Sequence, residues 1–222
     1  MNDGTFIYEI KHFITRELCD DIITRFDNYP YKEPGMVKGV NGCIVDKQQL
    51  DTTKLVMNSS RGTRGWEDIE CILHNKIMNA IYLYIKKFCK YFEKYDEDVE
   101  YIYNVWFGGK SIGYHDFNVT KTEAGSGSKW HYDSTDSGFQ TCILYLNDIE
   151  VKDGGATKFT NGRQVQPEAG KIVLYPSGWG NAHRGSLVHK SKYTIVFSTQ
   201  FVYDNKSAAY DMKSIIMNSL KK

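Results

Sequence analysis

Trp130-His131-Tyr132-Asp133, followed by Phe139-Gln-Thr-Cys-Ile-Leu-Tyr-Leu-Asn147, is the stretch that decides how this chain folds. On an extended segment, residues i and i+2 project to the same side. His131 and Asp133 therefore aim at one point, while Tyr132 faces away. The run from Phe139 to Asn147 is apolar, with an aromatic residue near each end, and reads as a strand.

Downstream the texture repeats. Ala156 to Phe159, Lys171 to Tyr175, Ala182 to Gly185 and Tyr193 to Tyr203 read as further strands. Asp153-Gly-Gly155, Asn161-Gly162 and Pro176-Ser-Gly178 supply the turns between them. Upstream, Glu100 to Phe107 and Tyr114 to Thr122 read as strands joined by a Gly108 to Gly113 turn. Short strands at regular spacing imply a sandwich or a rolled barrel.

The first hundred residues differ. Phe6 to Phe13 reads as an edge strand. Thr15 can cap a helix over Arg16 to Asn28, where Leu18, Ile22, Ile23 and Phe26 recur at helical spacing. Tyr29 to Gly65 is polar and punctuated by Pro and Gly, and reads as loop with one hairpin around Cys43 to Val45. Trp66 to Tyr95 is the clearest helix, open to a break near its middle. Ile69, Leu73, Ile77, Ala80, Ile81, Tyr84, Ile85, Phe88 and Phe92 form one broad apolar face suited to lying on a sheet. A closing helix is expected over Ser207 to Leu220. Helices first and strands later give an α+β class. The expectation is one domain over 1–222, with helical support and loops over 1–99, a catalytic β core over 100–203 and a tail over 204–222.

Composition narrows the function classes. The 28 basic and 27 acidic side chains leave a formal net charge of +1. Neither a nucleic-acid footprint nor an anionic-membrane surface is expected from that balance. Five widely spaced cysteines without a CxxC read as reduced thiols. The N-terminal Met-Asn-Asp-Gly-Thr-Phe lacks the basic-then-apolar pattern of a signal peptide. No run reaches the roughly 18 apolar residues that span a bilayer. A cytoplasmic protein is the expectation.

A His-x-Asp pair alone is weak evidence, since most such pairs lie on surfaces or in ordinary hydrogen bonds. His183 follows His131 by 52 residues, and Lys192 follows His183 by nine. Two imidazoles and one carboxylate can cap one face of an octahedral metal, the facial triad of non-haem Fe(II) oxygenases. His12 and His74 read as solvent-facing. His115 and Asp116 are adjacent and point apart. His189 rivals His183 as third ligand; His183 is preferred because it leaves Lys192 at a workable distance along the next strand. Lys192 suits the far carboxylate of a keto acid, which needs a fixed cation once desolvated. Tyr145 could donate a second bond.

The ordered blocks resemble the 2-oxoglutarate/Fe(II) dioxygenases of the prolyl 4-hydroxylase type. The resemblance runs through His131-Tyr-Asp133, Tyr145-Leu-Asn147, Gly154-Gly-Ala-Thr157-Lys-Phe159, Pro167-Glu-Ala-Gly170, His183 and Lys192, and covers roughly residues 100–203. It implies a double-stranded β-helix, a distorted jelly roll, buttressed by the N-terminal helices. It assigns His131, Asp133 and His183 to iron as the catalytic metal centre, and Lys192 with Tyr145 to 2-oxoglutarate. The implied reaction hydroxylates a C–H bond with O2 while 2-oxoglutarate becomes succinate and CO2, with ascorbate as accompanying reductant. A peptidyl proline is the family-weighted substrate. A free amino acid or other small molecule, or a non-catalytic jelly-roll binding module, are the alternatives. The oxygen-sensing members usually carry arginine where this chain has Lys192.

Overall fold

The computed structural model describes residues 6–39, 42–45, 50–58, 62–93, 111–114, 116–133 and 138–202. Along the chain run β1 (Tyr8–Ile10), α1 (Arg16–Asn28), β2 (Glu33–Pro34), β3 (Val37–Gly39), β4 (Gly42–Ile44), β5 (Thr52–Met57), α2 (Glu67–Glu93) and β6 (Ser111–Tyr114). Then follow β7 (Phe117–Thr122), β8 (Gly138–Tyr145), β9 (Thr157–Phe159), β10 (Gln164–Val165), β11 (Ile172–Pro176), β12 (His183–Gly185) and β13 (Lys192–Val202).

Alternation along the strands builds two cores. The major sheet runs β1-β11-β8-β13-β7-β5-β2, with β6 also paired to β13. On β8, Cys142 and Leu144 face the helices, while Ile143 and Tyr145 face the other way. On β11, Ile172 and Leu174 face the helices, while Val173 and Tyr175 do not. The helix-side core adds Ile22 and Phe26 of α1 and Ile69, Leu73, Ile77 and Ile81 of α2. The opposite face packs on Phe159 and Val165 of a minor sheet ordered β10-β9-β12. Every strand pair in the two sheets is antiparallel. Two such sheets face to face, with helices on the outside of the larger one, are the expected jelly roll.

The expected α1 matches in both boundaries, because Thr15 caps it: its hydroxyl accepts from the Leu18 N–H at 3.3 Å. The long helix, expected over Trp66 to Tyr95, is continuous over Glu67–Glu93. The expected hairpin is β3 with β4. Two readings change. The 29–65 region is not loop throughout, because β5 pairs with β7 over six residues and buries Leu55 and Met57. The strand expected over Tyr114 to Thr122 is β7, from Phe117, and residues 111–113 of the expected turn belong instead to β6; both strands pair with β13, at different registers. The expected strand at Glu100 to Phe107, with Tyr101, Tyr103 and Trp106, and the tail helix lie outside the described residues, as do residues 108–110 of the expected turn.

Gly170 locks the helical layer to the sheet. Its carbonyl accepts from the N–H groups of Phe13 (2.7 Å) and Ile14 (3.3 Å), just before α1. Its φ is +77°, and an added Cβ would lie 2.2 Å from the Ile14 carbonyl oxygen. Backbone is on the other side of that contact, so nothing flexible can yield. Gly170→Ala should therefore destabilise the fold by more than about 1 kcal/mol, read as a lower urea midpoint at unchanged m-value.

Candidate metal centre

Three side chains expected to meet do meet. His131 and His183 lie opposite one another as an antiparallel bridge. The His131 N–H donates to the His183 carbonyl at 2.9 Å, and the His183 N–H returns a bond at 2.8 Å. Residues paired in this way put their side chains on one face. The rings stand 4.4 Å apart between centroids. Asp133, two residues beyond His131, returns to the same side: its Oδ1 is 3.7 Å from His131 Nε2, and its Oδ2 is 3.7 Å from His183 Nε2. One ligating atom from each residue fits within a 4.8 Å cluster. His183 is buried, whereas His131 and Asp133 reach solvent, so the cluster opens outward on one side.

Hydrogen bonds settle which ring nitrogens are free. His131 Nδ1 contacts the Lys129 carbonyl at 2.8 Å, and His183 Nδ1 contacts the Asn181 carbonyl at 3.2 Å. A carbonyl only accepts, so both Nδ1 atoms carry the proton and both Nε2 lone pairs face the cluster. Burial pushes the His183 pKa down. Asp133 opposes that shift and His131 adds to it. A neutral imidazole is the ligating form.

The donor set suits a divalent first-row metal. Neighbouring octahedral ligands at about 2.1 Å from an ion lie about 3.0 Å apart. Closing the observed 3.7 Å separations to that value needs less than an ångström of movement each. Among the described residues no fourth His, Cys, Asp or Glu joins the cluster.

Lys192 lies deeper, at the start of β13, and is 8% exposed. Its ammonium donates to the Gly155 carbonyl at 3.1 Å. No carboxylate pairs with it among the described residues. Burial alone pulls its pKa down to about 8. Two glycines shape its surroundings. Gly154, at φ +75°, lets the chain approach Leu187, whose carbonyl would sit 2.1 Å from an added Cβ. That approach places the Gly155 carbonyl beneath the ammonium. Gly185 faces it: an added Cβ would lie 3.4 Å from both Lys192 Nζ and Ser128 Oγ. The missing side chain keeps open the space in front of the cation, a cradle for an anionic oxygen. Tyr145 is fully buried, and its hydroxyl is 2.7 Å from Thr157 Oγ1. Burial raises its pKa, the Thr157 bond opposing, so it stays a neutral phenol. Lys192 and Tyr145 thus reach the same short stretch, residues 155–157.

Four participants were not singled out from sequence: Tyr175, Thr157, Gly185 and Ser128. Period-two spacing was the available signal for two of them. Gly185 is two residues past His183, and Tyr175 two past Val173 on an inward-facing row. His189 is not in the cluster; its N–H donates to the Asp153 carbonyl at 2.8 Å.

Residues 117–199 match the family described as the 2OG-Fe(II) oxygenase superfamily. No curated protein matches the chain. Among solved structures, a Pseudomonas putida prolyl-4-hydroxylase aligns at 18% identity over 89% of this chain and 94% of its own, with a TM-score of 0.60. A collagen prolyl hydroxylase of Paramecium Bursaria Chlorella virus-1, solved as a 2OG complex, aligns at 16% over 90% and 98%, with 0.55. A Trichoplax adhaerens prolyl hydroxylase, bound to a peptide of the hypoxia inducible factor oxygen degradation domain, aligns at 14% over 89% and 84%, with 0.64. At these identities the structural likeness speaks to fold. Residues 117–199 thus carry the family match, and the architecture of the described chain is prolyl 4-hydroxylase-like.

A buried, unpaired ammonium penalises the ligand-free fold. Below about pH 8 the folded and unfolded chains both hold the lysine proton, and folding carries the full desolvation cost. Between about 8 and the ordinary 10.5 only the unfolded chain holds it, so stability rises with pH, by up to about 1.4 kcal/mol per unit. Lys192→Met should raise ligand-free stability at pH 7, with the gain over wild type shrinking by pH 10. Urea unfolding of both proteins across that range checks it.

Proposed function

We propose that this oxygenase hydroxylates a peptidyl proline, with His131, Asp133 and His183 as the Fe(II) ligands and Lys192 with Tyr145 as the seat of the 2-oxoglutarate C5 carboxylate. The observation that carries this reading is Lys192. A buried cation facing an open cradle, with a single carbonyl for company, is costly unless an anion completes it. A dicarboxylic keto acid joins that cation to the open side of the triad.

When bound, iron with 2-oxoglutarate and O2 supplies the oxidising chemistry, which yields succinate and CO2 and adds one oxygen atom to a C–H bond. The chain's own residues orient and insulate. The Lys129 and Asn181 carbonyls hold the two imidazoles with Nε2 forward. Lys192 neutralises the distal carboxylate inside the barrel, and Tyr145 with Thr157 offers hydroxyls beside it. Ile143, Phe159 and Val173 keep water from the interior. Asp133 would supply a carboxylate ligand to the iron. In halogenases of related fold a small residue leaves that position to chloride, so hydroxylation is the favoured outcome here.

Exposed aromatics support a peptide substrate. Trp130 and Tyr132 flank His131, each 48% exposed, and Trp179, 83% exposed, lies four residues before His183. Their faces suit a proline ring and an extended backbone. Two structural neighbours carry such substrates in their descriptions, a collagen hydroxylase and a complex with a hypoxia-inducible-factor peptide. Ascorbate as reductant and a cytoplasmic setting belong to the same reading. Cys19, Cys71 and Cys142 are free thiols, and no described helix is long and apolar enough to cross a membrane.

Anaerobic addition of Fe(II) and 2-oxoglutarate should produce the weak visible charge-transfer band of a chelated keto acid. Lys192→Ala should abolish it at moderate 2-oxoglutarate. A band that survives unchanged would remove Lys192 from the clamp, and no band in wild type would favour a binding module. Asp133→Ala should reduce succinate formation to background; turnover at the wild-type rate would refute the triad. Mass spectrometry of proline-containing peptides beside free proline should show a gain of one oxygen on peptide only. Oxygen on free proline alone would move the substrate to the small-molecule class.

A further inference from the structure

Tyr175 is buried on the inward face of β11, and the triad reading gives it no role. Its hydroxyl lies 3.1 Å from His183 Nε2 and 3.3 Å from Asp133 Oδ2. Both atoms belong to the proposed metal ligands. With His183 Nδ1 protonated, Nε2 only accepts, and so does the carboxylate. One phenolic proton therefore serves two acceptors. The phenolic proton thus draws on the same side chains that a cation would, with less charge than a cation brings.

The ring cannot follow its hydroxyl elsewhere. It packs edge-on to Phe159, at 4.9 Å and 78°, and to His183, at 5.0 Å and 67°. Metal binding claims the single His183 Nε2 lone pair, the nearer acceptor at 3.1 Å, and leaves the buried O–H with only the longer bond to the Asp133 carboxylate at 3.3 Å, so a better acceptor would be favourable. The oxygen placed to arrive is an anionic one, carried by a ligand in an open coordination position beside the ring. We propose that Tyr175 is a positioning residue. It competes with the metal in the free protein, and on metal binding it transfers its hydrogen bond to the metal-proximal carboxylate of the 2-oxo acid. This inference rests on the 2-oxoglutarate reading above.

Tyr175→Phe keeps the ring and its packing and removes only the hydroxyl. Two equilibria should then move in opposite directions. Mn(II) titrated without 2-oxoglutarate, followed by electron paramagnetic resonance, should bind the variant several-fold more tightly, since about one competing hydrogen bond is gone. 2-Oxoglutarate titrated into the Mn(II)-loaded variant by calorimetry should bind on the order of 10-fold more weakly, the loss expected for a bond to a charged acceptor. The anaerobic Fe(II) charge-transfer band should shift in energy, which a packing role alone would not produce.

Parallel weakening of both affinities would mean that Tyr175 only supports the fold, and would overturn the proposal. Tighter Mn(II) with unchanged 2-oxoglutarate would overturn the transfer step. An intense phenolate band on oxidation of the wild-type iron protein would make Tyr175 a ligand, and would overturn it as well. Lys192→Ala separates this failure from that of the underlying reading: it should lose 2-oxoglutarate affinity with Mn(II) affinity unchanged. If wild type itself fails to bind 2-oxoglutarate, both fall together.

Discussion

Two backbone hydrogen bonds between His131 and His183, at 2.9 and 2.8 Å, are the constraint from which the centre follows. They join residues 52 positions apart and set both imidazoles on one face of the minor-sheet edge. The same alignment continues away from the centre. The Ser128 N–H donates to the Gly185 carbonyl, and the Val188 N–H to that of Ser126. A slip of one residue would turn either imidazole to the outer face. Asp133 needs no long-range contact of its own, because it inherits its direction from His131 two residues earlier. Closing the loop between the two histidines costs chain entropy. The two packed sheets supply the opposing free energy, so the stability of the jelly roll and the preorganisation of the centre are coupled.

The interior between the sheets is apolar, with polar groups at two separated poles. One pole is a set of lone pairs short of protons: two Nε2 atoms and a carboxylate, with one phenolic hydrogen among them. The other is a lone ammonium. Ile143, Phe159, Val173 and Val165 occupy the space around them. Electrostatic attraction is stronger in such surroundings than in water, and an uncompensated pole is correspondingly costly. A divalent cation completes the first pole, and a carboxylate completes the second. On the proposed reading a metal-bound keto acid would reach from the cation at the first pole to the ammonium at the second.

Legibility varied with how local the deciding physics is. Arg16–Asn28 was readable to the residue, since a Thr cap and an apolar stripe are local. β8 was readable as a strand though not to the residue, expected over Phe139 to Asn147 and found over Gly138–Tyr145. Thr52–Met57 was not, because Thr-Thr-Lys-Leu-Val-Met is short and sits amid glycine and polar residues; pairing with β7 makes it a strand. The separate registers of β6 and β7 on β13 were equally hidden. Four site residues could be named from spacing and family likeness, with Tyr145 less directly argued. Tyr175 escaped because its neighbours in sequence mark it only as a core aromatic.

The chain alone determined the alternation that splits inward from outward residues, the His-x-Asp pair sharing one side, the helix boundaries around Thr15, and the order of blocks that signals the oxygenase class. These follow from period, capping and residue chemistry within a few positions. Tertiary structure alone decided that Gly185 leaves a cradle before Lys192 and that the Tyr175 hydroxyl stands between His183 Nε2 and Asp133 Oδ2. Each depends on cross-strand register. Register is set by the packing of two sheets against each other, a sum over many distant contacts that no short stretch of sequence contains.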